Sequence, residues 1–543
     1  MTPQQRLKAN VEALEIVRTL MKEGREATPE EREILGRYRG WGGVELGRAY
    51  STDMMRRSFT DRWGAPTEQG KLLGRLADVI DELDPKGERG VLSAINRAAL
   101  TSYYTPTGIA KVMNRFAELA GFKGGSMLDP SMGNGVFEGT MSKGVQQRTM
   151  IHGIELDWLT GQIARNLYPD ANVLVTGYEQ AGTADNAYDV VMSNIPFGSI
   201  SVTDKTWKHD SSPVRKAAQG KIHNYFAVKM LDNTRPGGLC VIMTSNAILD
   251  TKGNQIIREH LADQAEVLGV VRLPDNTFKG AGTSVVTDVI FLRKYKDDAD
   301  RAAIRGNEDY TANIEKPFLS SGELQLTNPT DGKTYKVTVN GYFTKNKGMM
   351  IGDAKAGGQY RADEFGLGSS LGTDELAKAM SKIVEKKIVG DRKGKLFDTH
   401  KTVREVKQAV SEAYKGDGSY ISSGNIVEQD GMIGIVTSTK NKYGDVNSTF
   451  TEMPSLKAKA SRIRAILPIR ATMKELIAGE IGGAKESLLS ELRQRLQKLY
   501  DDFVKQFGRL NDRSRAGLMV FLMNMSDKPT NLPSSYLSKA RSW

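Results

Sequence analysis

The stretch SMLDPSMGNG, Ser126 to Gly135, decides how this chain is read. A short apolar run ends at Asp129-Pro130, two glycines follow at 133 and 135, and VFEGT has helical character. Glycines at such a strand-to-helix turn let the backbone bend tightly and approach a ligand closely, and the helix behind presents free N–H groups. A plain connecting loop is the competing reading of this stretch alone. Outward from it, further apolar runs occur at MIHGIE (150–155), NVLVT (172–176), YDVVMSN (188–194), LCVIMTS (239–245), AEVLGVVRL (265–273) and SVVTDVIFLRK (284–294). Most are separated by helical patterns, which predicts a mostly parallel sheet with right-handed crossovers. The last two are joined without a long helix, which predicts one antiparallel strand. The expected fold is therefore α/β, a Rossmann-like sheet with helical N-terminal and mixed or helical C-terminal additions.

Two more motifs narrow the chemistry. MIHGIE ends at Glu155, about 20 residues beyond the glycines, where an acid commonly holds ribose hydroxyls. Asp157 competes for that role, and up to this point a NAD site fits equally well. Strand YDVVMSN then runs into Asn194-Ile195-Pro196-Phe197-Gly198, which turns the reading away from NAD. An exocyclic amine is a poor nucleophile because its lone pair is delocalised into the ring. The Asn194 side-chain oxygen and the Ile195 carbonyl are two acceptors that hold its hydrogens and favour a pyramidal nitrogen. Phe197 offers a stacking face, and a base must leave the duplex to reach such a pocket. An ordinary Asn-Pro turn is the bland alternative.

These motifs, in this order, resemble the gamma class of amino-directed DNA methyltransferases. The class signature Tyr/Phe-Thr-Pro is matched by Tyr104, Thr105 and Pro106 after Tyr103. Its cofactor loop is matched by Asp129, Pro130, Gly133 and Gly135, and its catalytic tetrapeptide by Asn194 to Phe197. Arg235-Pro236-Gly237-Gly238 matches the turn before the fifth strand. More narrowly, GRYRGWGG, SYYTPTGIA, GIELDWLTGQIARNLYP, NIPFG, HNYFAVKMLDNTRPGG, VRLPDNTFKGAGTSVVTDVIFLRK and NGYFTKNKGMMIG are similar to the methylase part of large methylase–helicase proteins of phages and conjugative elements. The resemblance implies an S-adenosylmethionine-dependent fold and transfer of methyl to N6 of adenine in DNA. The implied cofactor contacts are Tyr104, Thr105, Pro106, Asp129, Pro130, Gly133, Gly135 and Glu155. Either Tyr178 or Glu179, after the third strand, would meet the cofactor adenine. The sequence departs from the class at Ile195, where a proline is usual. That departure keeps two other readings open: an inactive methylase-fold DNA-binding protein with an anti-restriction or packaging role, and amino methylation of cytosine N4, RNA or protein. No Gly-x-x-x-x-Gly-Lys-Ser/Thr loop is present, so no ATPase is assigned; a separate helicase or specificity component is an expected candidate partner.

The remaining candidates are weaker. Lys205, Trp207, Lys208, Arg215, Lys216 and Lys221 form a basic loop with an aromatic, suited to phosphate contact and base stacking. A solvated loop is the alternative. Phe278 is either the second face of a base pocket or a core anchor. His223 and Asn224 read as caps or local hydrogen-bonders. Cys240 sits in an apolar strand, where a thiolate nucleophile does not serve.

The chain has 543 residues, one cysteine, five histidines and a net charge of +11. Two to four domains are expected. The cysteine and histidine counts argue against a metal site, the charge suggests a polyanionic partner, and neither a signal-peptide layout nor an apolar run of about 18 residues is seen. A cytoplasmic setting follows as an expectation. By pattern the chain divides at 1–95 (helical, a candidate DNA contact), 96–297 (the catalytic region), 298–450 (mixed, a candidate target-recognition region) and 451–543 (helical). Leu488, Leu492, Leu496, Leu499 and Phe503 form a helical stripe expected to pack in a helix pair.

Overall fold

The computed structural model describes residues 2–507 except 48, 49, 88, 102, 103, 208, 209, 282, 283, 359, 360, 399–424, 430, 431, 441–445, 453–459 and 483–485. The chain forms two compact units, Met1–Val403 and Arg404–Trp543. The pattern boundaries near 95 and 297 both fall inside the first.

Seven strands build the central sheet: β1 (Gly125–Asp129), β2 (Thr149–Glu155), β3 (Asn172–Val175), β4 (Tyr188–Asn194), β5 (Thr234–Ser245), β6 (Ala265–Leu273) and β7 (Thr287–Lys294). Their order is β3-β2-β1-β4-β5-β7-β6. All neighbours from β3 to β5 are parallel, while β7 runs antiparallel to both β5 and β6. The β6-to-β7 connection has no long helix, so the chain can only turn back on itself. The order reverses between β1 and β4, and in open α/β sheets ligands bind outside the carboxyl ends of the strands at such a point. Every residue of β1, β6 and β7 is buried, as expected of strands covered on both faces.

β5 begins earlier than its apolar run. Thr234 already pairs with Tyr188, and pairing resumes at Val190 with Leu239, so Arg235–Gly238 form an irregular bulge rather than a free turn. Asp189 explains this. One oxygen accepts from Arg235 Nε at 2.6 Å and the other accepts from the Ser126 amide and hydroxyl, tying bulge, β4 and β1 together.

The N-terminal helices start on repeated Thr-Pro boxes. Thr2 caps Pro3–Glu23 with Gln5, and Thr28 caps Pro29–Leu35 with Glu31. Leu7, Val11, Leu14 and Val17 share a core with Leu73, Leu76 and Ile80, and with Leu159 and Ile163 from the helix that follows β2. The helical region thus lies against the helix that follows β2.

Within the first unit, residues after 297 pack on the β6 side. Strands Ser321–Thr327 and Thr334–Asn340 pair antiparallel. Asn340 Nδ2 donates to the carbonyls of Leu249, Phe318 and Ser320, and the Val270 amide donates to the Tyr342 hydroxyl. The NGYF segment therefore works as a structural anchor.

In the second unit, Asn425–Gln429, Met432–Lys440 and Val446–Glu452 form an antiparallel sheet. Helices Ala460–Gly482 and Glu486–Phe507 bury Ile463, Ile466, Ile469 and Leu476 with Leu489, Leu492, Leu496 and Phe503. The expected stripe is corrected at its start. Leu488 is 47% exposed and Leu489 takes its place, because seven residues, not eight, return a helix to the same face.

Candidate active site

At the carboxyl end of β1, Asp129 is fully buried. Its Oδ1 accepts from the Ser131 amide at 3.1 Å and from Ser193 Oγ at 2.6 Å. Burial pushes its pKa up to about 7. Pro130 is buried beside it. Gly133 and Gly135 take φ of 57° and 77°, values that L side chains rarely adopt. Gly133 is also crowded by the Tyr104 ring, and the Gly135 carbonyl accepts from the Tyr168 hydroxyl at 2.7 Å.

Glu155 ends β2 beside this loop. Its Oε2 accepts from the Gly133 amide at 2.8 Å and its Oε1 from the Asp157 amide at 2.7 Å. Burial raises its pKa to about 7. Asp157 instead caps the next helix, accepting from the Thr160 amide and hydroxyl at 2.9 and 2.5 Å. Of the two acids, Glu155 is the one bonded to the glycine loop. Leu156 between them is 74% exposed, an apolar surface the sequence patterns do not single out. Tyr104 is half-buried and Thr105 is 5% exposed, while Pro106 stands at the N-cap of helix Thr107–Ala120.

After β3, Tyr178 turns inward. It is 2% exposed, donates to Asn233 Oδ1 at 2.6 Å, and packs on Tyr225 and Phe226. Glu179 is half-buried over Gly177 and accepts from Gln180 Nε2 at 3.0 Å.

Asn194 is the last residue of β4, opposite Met243 of β5. The Ile195 amide donates to the Met243 carbonyl at 2.9 Å, and its side chain is 1% exposed. A proline here could not make this bond. In this chain the sheet hydrogen bond and a buried side chain supply the constraint that a ring supplies in the usual tetrapeptide. Ile195→Pro is accordingly expected to lose about 1 kcal/mol of stability, measured by urea unfolding; an equal or more stable variant would show the bond to be dispensable. Pro196 and Phe197 are half-buried and Gly198 is exposed.

The basic loop needs correction. Trp207 is 6% exposed, packed 5.0 Å from Tyr225 with Arg215 stacked at 5.0 Å. Arg215 is itself paired with Asp185, Asp210 and Asp232. Neither side chain offers the free stacking or phosphate surface expected of it. Lys205 and Lys216 are exposed; Lys208 lies outside the described residues. Behind the loop, the Lys229 ammonium donates to Asp204 Oδ2, the Tyr178 carbonyl and the Tyr225 hydroxyl at 2.7, 2.9 and 2.8 Å. That buried anchor has no motif and is invisible in the sequence. Phe278 is 1% exposed and belongs to the core, so it does not present the second face of a base pocket. His223 is 4% exposed and burial pushes its pKa down to about 4, leaving it neutral. Asn224 donates to Asn254 Oδ1 at 3.0 Å, a local bond. Cys240 is fully buried and its thiol is pushed up to about 12, which suits no nucleophile.

Sheet order, glycine loop, the acid at the end of β2 and an Asn-x-Pro-Phe loop together define a methyltransferase-type α/β fold. Residues 93–320 match the family model for N-6 DNA Methylase. A curated relative, the defense against restriction protein B of Escherichia phage P1, is 29% identical over 293 residues, which cover 52% of this chain and 12% of that protein. Similar solved structures include the methyltransferase subunit of a type I restriction-modification system from Streptococcus thermophilus (19% identity, 46% of this chain, 63% of that one, TM-score 0.30). Another is a protein assigned as a class I S-adenosylmethionine-dependent methyltransferase from Listeria monocytogenes (16%, 53%, 88%, TM-score 0.33). Among the described residues no helix is long and apolar enough to cross a membrane, and no group of three or more His, Cys, Asp or Glu side chains could hold a metal.

Proposed function

We propose that this chain uses S-adenosylmethionine to methylate N6 of adenine in DNA, with the base flipped out of the duplex. The observation that carries the reading is the placement of Glu155, the glycine loop and Asn194 around the β1/β4 switch point, on a segment that matches the N-6 DNA Methylase family. The residues fit the cofactor. Asp129 Oδ2 is buried without a hydrogen-bond donor among the described residues, and a ligand bearing ribose hydroxyls and an ammonium brings donors. Glu155 accepts from the ribose hydroxyls, exposed Leu156 covers the adenine edge, and Glu179 rather than core-bound Tyr178 is placed to meet it. Thr105 holds the aminoacyl end. The cofactor supplies an electrophilic methyl group. Asn194 and the Ile195 carbonyl orient the target amine, Phe197 stacks on the base, and the amine's proton leaves to solvent after transfer. Positioning supplies much of the acceleration. Exposed Lys205 and Lys216 contact phosphate, and a separate specificity or helicase component completes the assembly.

Transfer of label from methyl-labelled cofactor to DNA, RNA and protein tests this, with modified-base sequencing of the DNA. Label in adenine N6 is the expected result; label in RNA or protein but not DNA overturns it.

Glu155 makes the cofactor step pH-dependent. Its raised pKa means that it takes up a proton as pH falls through about 7, and a protonated carboxyl accepts fewer ribose hydrogen bonds. Cofactor affinity is therefore expected to tighten between pH 6 and 8 by roughly a factor of several, and to lose that dependence in Glu155→Gln. The stability sign is the opposite. A carboxyl raised from its ordinary value stabilises the fold most at low pH, and that contribution fades as pH rises through about 7. Calorimetric titration with cofactor across this range reads the first effect directly; a pH-independent wild-type affinity would exclude Glu155 from the ribose site.

A further inference from the structure

The turn GRYRGWGG, Gly36 to Gly43, is one of the motifs of the sequence resemblance, but no role for it follows from the sequence. The structure places it against the glycine loop. Asn134, between the two glycines of the cofactor loop, donates from Nδ2 to the Tyr38 carbonyl at 2.9 Å across 96 residues of sequence. Asn134 is 9% exposed and Tyr38 is 1% exposed. A second link runs through Tyr104. Its ring meets Tyr38 edge-on at 6.0 Å and lies against both Gly40 and Gly133. Gly40 has φ of 69°, and a Cβ there would overlap the Tyr104 ring. The turn is itself held from behind: Asn10 Nδ2 donates to the Gly40 carbonyl at 2.7 Å, and the Arg39 amide donates to Asn10 Oδ1 at 3.1 Å. The Tyr38 and Tyr104 hydroxyls both lie near Thr160 Oγ1, at 3.4 and 3.5 Å, in the helix that Asp157 caps beside Glu155. Turn, Tyr-Thr-Pro segment, glycine loop and ribose-type acid form one connected, buried set.

We infer that the Arg37–Gly43 turn is a wall of the cofactor site that holds the glycine loop in its binding shape, with Asn134 as the positioning residue that straps the two together. The inference rests on the cofactor reading above and adds to it a partner inside the chain. A loop with two positive-φ glycines is intrinsically loose, because glycine restricts the backbone least. The strap replaces that freedom with a buried side-chain hydrogen bond, whose partners have no water to fall back on. The loop then need not be ordered at the expense of binding free energy. Glu155 holds the same loop from the other side through the Gly133 amide, so Gly133 and Asn134 are clamped at adjacent positions by elements far apart in sequence.

The test uses the full chain with Asn134→Ala, Asn134→Asp and Gly40→Ala, and Tyr38→Phe as the control that keeps the accepting carbonyl. Affinity for S-adenosylmethionine and for S-adenosylhomocysteine is read by calorimetry, and hydrogen exchange of segments 38–43 and 131–136 is followed without cofactor. The three variants are expected to weaken both ligands by about 10-fold, the equivalent of one buried hydrogen bond. Exchange should quicken in both segments together while the sheet stays protected. At saturating cofactor, DNA affinity should match wild type, and Tyr38→Phe should bind both ligands as wild type does. Unchanged ligand affinity in all three variants overturns the inference, as does faster exchange in one segment without the other or across the whole sheet. If wild type binds neither ligand, the methyltransferase reading fails instead, and coupled exchange alone decides whether the turn orders the loop.

Discussion

Asn194→Ala is expected to lose methyl transfer by about 10²–10³-fold while leaving cofactor affinity unchanged, as found when one preorganised hydrogen-bonding group is removed from a transition state. The side chain stands at the end of β4, paired in register with Met243, and is therefore aimed by the sheet rather than by a free loop. On the proposed reading, removing it deletes an acceptor for the amine. Asn194→Asp keeps an acceptor and should lose less. Single-turnover methylation at saturating cofactor and DNA separates chemistry from binding. Full transfer by Asn194→Ala would remove this residue from the reaction. Loss of cofactor binding in the same variant would point to a structural role for it.

Arg272→Ala is expected to destabilise the first unit by about 3–5 kcal/mol, the usual cost of stranding buried charge. Arg272 is fully buried in β6. It donates to Asp288 of β7 at 2.7 and 2.8 Å and to Asp250 at 3.0 and 2.9 Å, and it stacks on Phe343 at 4.0 Å and Phe365 at 4.8 Å. Asp250 Oδ1 also accepts from the Asn340 amide at 2.8 Å. One guanidinium therefore holds the antiparallel edge of the sheet to the residues beyond 297. Its removal leaves two carboxylates without a counter-charge, which Arg272→Lys compensates only in part, since an ammonium cannot bridge both in a planar fork. Urea unfolding followed by circular dichroism reads the change. A loss below about 1 kcal/mol would mean that water or a local shift takes over the pair's role.

The strands and their direction are legible in the sequence because each apolar run is bounded by turn residues and the crossovers leave few topologies. Even the antiparallel β7 follows, from a connection too short to cross the sheet. The Glu155 position follows from its spacing after the glycines. Trp207 is misplaced by its sequence context and Phe278 is left open by it for one reason: an aromatic in a loop near a site looks the same in sequence whether it faces solvent or core. Tyr225 and Arg215, which enclose Trp207, are eight or more residues away, and the core around Phe278 comes from many elements. The leucine stripe departs from the structure only at Leu488, by a single residue of helical phase.

For the glycine-rich stretch from Ser126 to Gly135, sequence alone determines the local event: a strand that stops, a turn that needs glycine, a helix that starts. Those depend on backbone sterics and nearest neighbours, which are written in the residues themselves. Only the tertiary structure decides what the turn is held by. Gly133 is gripped by Glu155 across 22 residues and Asn134 by Tyr38 across 96. Likewise, the sheet supplies Ile195 with a hydrogen bond that a proline could not make. Such partners are set by how separate elements pack, and no local pattern records them.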